Sequence, residues 1–245
     1  MPRSFPSALL LLSLLLPGCA VRSPQQEASD PLEPFNRFVY MFNDVLDRTV
    51  MKPVARRYQK YVPPPARTGV RNFFNNLYEP ITVVNNTLQG KPGEAAGDLM
   101  RFGFNSVFGV FGLVDVSTDW GLPHHVEDFG QTFAVWGFGE GWYLMLPLLG
   151  PSNVRDGIGL LPEYKLSLLS NNTSGTTRYA AYALKFVSKR ADLLSATNVL
   201  ETSSLDEYVQ VREAYRQQRW NQIHDGNPPE PDFFDEELFE DDSSS

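Results

Sequence analysis

The sequence predicts a mostly α-helical domain that folds without a disulfide. Three observations carry that expectation. From Asp30 to about Ile223, apolar residues recur at the three- and four-residue spacing of helices. Prolines stand where helices would open, at Pro34, Pro53, Pro80 and Pro92, first-turn positions where the missing N–H costs nothing. Cys19 is the single cysteine in 245 residues, so no intrachain bridge is available.

The elements follow in order. Phe35, Phe38, Val39, Phe42, Val45 and Leu46 mark a first helix opening at Pro34. A second runs from Pro53 to Tyr61, and the triple Pro63-Pro64-Pro65 breaks it. A third carries Val70, Phe73, Phe74, Leu77 and Tyr78; Pro80 then starts a fourth that ends near Gly90. Pro92 opens a fifth, with Ala96, Leu99, Met100, Gly103, Phe104, Val107, Phe108 and Phe111 along one broad face. The stretch Phe138 to Leu149 is a candidate extended segment that periodicity does not decide. Tyr179, Tyr182, Ala183, Phe186 and Val187 mark a later helix. Ser204-Leu205-Asp206-Glu207 reads as a capping box opening a helix with Tyr208, Val209, Tyr215 and Trp220. No internal repeat is present.

The two ends differ from the body. Arg3 precedes a short apolar run, Ala8 to Leu16. It falls short of the roughly 20 residues that span a bilayer, so it reads as a signal peptide. Leu16-Pro17-Gly18-Cys19 resembles a bacterial lipobox. On that reading residues 1–18 are removed and Cys19 carries an N-acyl chain and a diacylglycerol lipid. Each buried methylene contributes about 0.8 kcal/mol, and stable anchoring takes two chains or equivalent signals. Ala20 stands where an aspartate would resemble the inner-membrane retention address, which favours export to the outer membrane. Residues 19–30 form the lipidated terminus and linker; Ala20 to Asp30 reaches at most roughly 35–40 Å, so the body, residues 31–225, sits close to the anchored leaflet. The net charge of −8 lies in residues 226–245, which hold eight acids and no Lys or Arg. With its prolines and serines this tail reads as disordered. Solubility is its simplest role; Phe233, Phe234, Leu238 and Phe239 among the acids leave open a docking role for a basic partner.

Catalytic signals are poor. There is no G-x-S-x-G, no phosphate-binding glycine loop and no H-E-x-x-H. His124-His125 lies near Glu127 and Asp128, but adjacent residues do not face one site on a helix, and a surface or interface loop is the better reading than a metal site. No basic stripe suits nucleic acid. The informative residues are aromatics and glycines. Phe102 to Val116 is apolar nearly all round, interrupted by Asn105, Ser106 and Asp115. It is either a buried core helix with a glycine-rich exit or a segment that dips into lipid, with Gly103, Gly109 and Gly112 as hinges. Trp136, Trp142 and Tyr143 beside Leu144 to Leu149 suit a membrane interface. Lys185, Lys189 and Arg190 share a helix with Tyr179, Tyr182 and Phe186: an interfacial helix meeting anionic headgroups, or a solvated face backed by core.

Together several segments identify a resemblance. Asp30-Pro31-Leu32-Glu33-Pro34-Phe35-Asn36-Arg37, with Tyr40 and Phe42-Asn43, resembles the opening motif of the MlaA (VacJ) lipoproteins. Asn72-Phe73, Glu79-Pro80, Arg101-Phe102 with Asn105-Ser106, and Gly112-Leu113-Val114-Asp115 are similar too. So are Glu127 to Thr132, and Leu146 to Ser152 with Arg155-Asp156; the likeness covers roughly Asp30 to Tyr215. It implies a ring of amphipathic helices around a central channel, set in the periplasmic-facing leaflet of the outer membrane. It implies that phospholipids strayed to the outer leaflet pass through that channel to a soluble carrier, MlaC, and on to an inner-membrane ATP-binding cassette complex. A trimeric porin is the implied membrane partner; no bond is made or broken and no cofactor is needed. By motif position, Phe42, Asn43, Phe102, Asn105, Phe108 and Phe111 are the expected channel-wall or gate residues. The alternatives are a porin-bound scaffold without a channel and a phospholipase, for which no motif supplies a nucleophile.

Because the aromatic body would enter the leaflet by itself, the lipid on Cys19 acts more as address than as anchor. Cys19→Ala should abolish palmitate labelling and disrupt delivery to the outer membrane more than membrane affinity, as read by density-gradient fractionation. A Cys19→Ala protein that still reaches the outer membrane and works would overturn this.

Overall fold

The computed structural model describes residues 30–195 and 206–229. Cys19, the leader, Ser204 and the acidic tail beyond Pro229 lie outside the described residues. Helix α1 (Glu33–Leu46) runs into a π-helical turn, Asp47–Met51, and then α2 (Lys52–Tyr61). The π turn has a local cause. Pro53 has no N–H for the carbonyl four residues back, and the Lys52 N–H reaches back five residues, to Asp47 O. After the break at Val62-Pro63, α3 (Pro64–Leu88) and α4 (Pro92–Val107) form an antiparallel pair, the most extensively packed in the fold. Short helices α5 (Val116–Asp119) and α6 (Phe129–Val135) follow. Next come strands β1 (Tyr143–Leu146) and β2 (Gly150–Asn153) and helices α7 (Val154–Leu166), α8 (Leu168–Asn172), α9 (Gly175–Asp192) and α10 (Glu207–Ile223).

Several expectations are corrected. Pro80 does not begin a helix. It lies inside α3, one continuous helix of 25 residues, about 37 Å long at 1.5 Å per residue. Residues on both sides of Pro80 (Asn76, Glu79, Ile81, Thr82) are buried, so packing outweighs the lost hydrogen bond. Gly103 is not a hinge: α4 continues through it in helical conformation and its surroundings are open. The cap of α10 is Asp206, whose side chain accepts from the Val209 N–H at 3.2 Å. The undecided stretch is extended only over Tyr143–Leu146, which pairs antiparallel with β2 in the register Tyr143↔Asn153 to Leu146↔Gly150.

The interior is polar. Fully buried side chains include Arg101, Gln131, Glu79, Asn36, Asn85, Asn86, Thr82, Thr132 and Asp98. The apolar clusters are small: Val39, Tyr143, Met145 and Tyr208 in one, Ala55, Ala191 and Leu194 in another. On α4 the buried positions are Ala95, Asp98, Arg101 and Asn105, while Leu99, Met100 and Val107 point outward. The broad apolar face read from the sequence is real, but it is the outer face.

Arg101 organises this interior. It is 2% exposed and reaches four groups: Glu79 Oε1 at 3.2 Å, Thr118 Oγ1 at 3.2 Å, the Leu122 carbonyl at 2.6 Å and Asp115 Oδ2 at 2.9 Å. Burial raises the Asp115 pKa, but hydrogen bonds from Thr118, Asn105 and Arg101 win and hold it at about 2. Glu79 is equally buried, so removing the guanidinium strands a charge inside the protein. Arg101→Ala should therefore destabilise the body by about 3–5 kcal/mol, measured by denaturant unfolding of the purified protein. The double variant Arg101→Met, Glu79→Gln should recover part of that loss.

Candidate lipid-handling site

Much of the described exterior is built from helix faces with exposed apolar side chains. On α1, Phe35, Phe38, Met41, Phe42 and Val45 project outward, opposite the buried Asn36 and Val39. Phe108, Val110, Phe111, Leu113 and Val114 continue the surface beyond α4, and Ile158 and Leu161 add to it on α7. Contiguous apolar exposure on this scale is not what a soluble monomer tolerates. No helix of the described residues is long and apolar enough to cross a membrane.

The turn after α4 is held in an unusual backbone. Val110 and Phe111 both have positive φ (52° and 57°), which a β-branched residue rarely adopts. Local packing enforces it. A Cβ on Gly109 would lie 2.1 Å from Val114 O, and one on Gly112, itself at φ +87°, would lie 2.5 Å from Asn76 Cβ. Gly109 and Gly112 thus permit a tight turn. Phe111, 77% exposed, stands at its tip, and Phe108 packs on Phe104 and Trp120 at its base.

The expected wall and gate residues do not converge on one place. Phe42 points outward. Asn43, one position on, turns inward. It donates to the Leu146 carbonyl and accepts from the Leu148 N–H, both at 2.9 Å. Phe102 is half-buried on α4. Asn105 is fully engaged: it donates to Asp115 at 3.0 Å and accepts from the Ser117 N–H and hydroxyl, also at 3.0 Å. It holds α5 against α4.

The sequence reading missed Asn36 as a functional residue. Its amide donates to the Tyr143 carbonyl at 3.0 Å and accepts from the Met145 N–H at 2.8 Å. Asn36 and Asn43 are seven residues apart, two turns on one face of α1, and both satisfy the backbone of the β1 segment. The signal was available: two asparagines at heptad spacing inside an apolar periodicity. The strand edge they serve was not visible in the sequence.

Beside Asn43 lies a cavity of about 200 Å³ between α1, the π turn, the hairpin, α9 and α10. Tyr40, Asp47, Met145, Arg190 and Glu207 help line it. Its charges are paired: Arg190 Nε lies 2.6 Å from Asp47 Oδ1, and the Tyr40 hydroxyl donates to Glu207 at 3.1 Å. Burial, then the Glu207 carboxylate, pushes the Tyr40 phenol well up.

The ionisable groups are structural in their geometry. His124 Nδ1 is 3.2 Å from Glu79 and His125 Nδ1 is 2.9 Å from Asp98, which pins the connection between α5 and α6 onto α3 and α4. No hydroxyl is bonded to either imidazole among the described residues, and no three metal-ligating side chains converge there. Asp128, the N-cap of α6, and Asp156 on α7 converge on the buried Arg219 of α10, at 2.5 and 2.7 Å. Burial, then the Asp128 charge, raises Glu163 to about 7.

Comparison with known proteins agrees with this architecture. The profile of the MlaA lipoprotein family matches residues 28–222. The intermembrane phospholipid transport system lipoproteins MlaA of Shigella flexneri and of Escherichia coli K12 are each 40% identical over 222 residues, covering 86% of this chain and 85% of theirs. The Haemophilus influenzae protein of the same name is 31% identical over 225 residues, 89% of each chain. A structure solved in work on the structural basis for maintenance of bacterial outer membrane lipid asymmetry superposes with a TM-score of 0.72 at 36% identity. It covers 82% of this chain and 100% of its own. The sequence profile, the identities and the shared helical fold agree: the chain belongs to the MlaA lipoprotein family.

Proposed function

We propose that this protein is an outer-membrane lipoprotein of the periplasmic-facing leaflet that removes mislocalised phospholipids from the outer leaflet and passes them to a soluble periplasmic carrier. The observation that carries this reading is the inverted distribution of side chains. Apolar residues cover the outside while Arg101, Glu79, Asp98 and Asn86 lie within. A phospholipid has a charged head and two apolar tails, and its head crosses hydrocarbon only at high cost unless polar groups receive it. Helices polar on one face and apolar on the other, closed into a ring around a channel, supply both surfaces. Irregular backbone at membrane depth survives where protein buries it or a cavity lies beside it, which suits the Gly109–Gly112 turn.

The relatives' part in intermembrane phospholipid transport supports this function. In this reading no bond is made or broken, lipid on Cys19 orients the body, and a trimeric porin and the carrier MlaC are the protein partners. Phe102, Phe108 and Phe111 line the apolar wall. Phe42 and Asn43 form a gate at the hairpin, since Asn43 both lines the cavity and holds the Leu148 turn.

The test is made in cells lacking the chromosomal copy, with outer-leaflet phosphatidylethanolamine measured by a membrane-impermeant amine reagent. Phe108→Ala and Asn43→Ala, at normal protein level, should change outer-leaflet lipid relative to the native protein. Unchanged lipid with porin association intact would remove both residues from the path and favour a scaffold. Intact asymmetry in cells without any copy would overturn the transport function itself. Phospholipid hydrolysis by the purified protein would overturn the non-enzymatic reading.

A further inference from the structure

Helix α9 carries a pair of lysines that, among the described residues, have no carboxylate within ion-pair distance. Lys185 and Lys189 are one turn apart, i and i+4, and so share a face. Burial, and then the Lys189 ammonium, bring the Lys185 pKa down. Among the described residues neither lysine forms an ion pair or a hydrogen bond. The neighbouring cation behaves otherwise: Arg190 is committed to Asp47. Like charges at this spacing destabilise a helix unless an anion comes between them.

The surroundings grade from outside to inside. Lys189 is exposed, and Lys185, about 6 Å along the axis, is half-buried with its ammonium 5.6 Å from the centre of the Tyr78 ring of α3. The carboxyl whose field reaches Lys185 is Glu163 on α7, and with a pKa of about 7 it supplies only part of a negative charge at neutral pH. Tyr179, Leu184 and Phe186 on α9 and Leu161 and Tyr164 on α7 are exposed apolar side chains of the two helices that carry Lys185 and Glu163. A divided anion with hydrocarbon attached fits such a place: negative oxygens on the two ammonium groups, chains against the aromatic and leucine side chains.

We infer that Lys185 and Lys189 form a phosphate-binding site for a phospholipid headgroup, with Lys189 meeting the phosphate first and Lys185 drawing it inward. This rests on the transport reading above and adds to it a location for the charged part of the cargo. The chemistry recognised is the phosphodiester common to all glycerophospholipids, so amine and glycerol headgroups are both accepted. Charge-assisted hydrogen bonds from two ammonium groups are the strong kind.

The experiment uses the full purified protein in detergent. Binding of dioleoylphosphatidylethanolamine, dioleoylphosphatidylglycerol and dioleoylglycerol is compared by native mass spectrometry. Lys185→Met and Lys189→Met together should weaken both phospholipids about tenfold or more and leave dioleoylglycerol unchanged. Lys185→Arg should retain binding, and Lys60→Met, an exposed lysine on α2, serves as control. Circular dichroism and thermal melting establish that each variant is folded; if the double methionine variant is not, Lys185→Gln and Lys189→Gln are measured singly with the same expectation. Equal phospholipid binding by native and doubly substituted protein overturns the site while leaving transport intact. No phospholipid binding by the native protein overturns both. Lysine-dependent binding of inorganic phosphate, seen by phosphorus NMR with lipid binding unaffected, assigns the pair to a soluble anion and overturns the headgroup assignment.

Discussion

The buried guanidinium of Arg101 is the constraint on which the rest of the fold depends. It joins α3 through Glu79, α5 through Thr118 and the N-cap Asp115, and the connection that follows α5 through the Leu122 carbonyl. In an ordinary globular core such a group is a liability, because desolvating it costs more than most pairings return. Here the outward faces are apolar and little hydrocarbon beyond Phe74, Ile81 and Ala95 is buried on α3 and α4. Directional polar contacts hold them instead: Arg101 with Glu79, Asn86 with Asp98 at 2.7 Å, Asn76 with Ser106 at 2.9 Å. Such contacts are specific in geometry, and every member needs its partner.

The same logic governs the second half of the molecule. Two strands of four residues are marginal alone. Asn36 and Asn43 bind the backbone of β1 and its turn, and Arg219 gathers Asp128 and Asp156 so that α10 closes over α6 and α7. The Tyr208 hydroxyl donates to Asp30 at the beginning of the body. This bond joins α10 to the segment that opens α1, beside the hairpin and the cavity lined by Asn43. Hydrocarbon faces are then left on the outside.

Much of the secondary structure was legible in residues. Pro34, Pro53 and Pro92 at first-turn positions, the break at the triple proline and the periodicity of α1 and α9 correspond to observed elements. Pro80 misled because the helix-breaking cost of proline is a few kcal/mol at most, and the buried side chains on either side of it return more than that. Gly103 misled for the converse reason: glycine permits a bend but does not require one. Asn105 was singled out as a wall residue, and the structure gives it a bracing role instead, since every polar atom of its amide is occupied within the α4–α5 junction.

The sequence by itself determined that the chain is helical, where most helices begin, that each has an apolar and a polar face, and that no disulfide supports them. It also carried the family motifs, in order. Only the tertiary structure decided which face is inside. Periodicity is blind to that choice: Asp98, Arg101 and Asn105 recur at three and four residues just as Met100, Phe104 and Val107 do, and either stripe reads as solvated or as core. The decision is made by partners distant in the chain. Glu79 and Asp115 meet Arg101, and Tyr143 and Leu146 meet Asn36 and Asn43. Once those polar groups have found one another, the apolar faces have nowhere to go but outward.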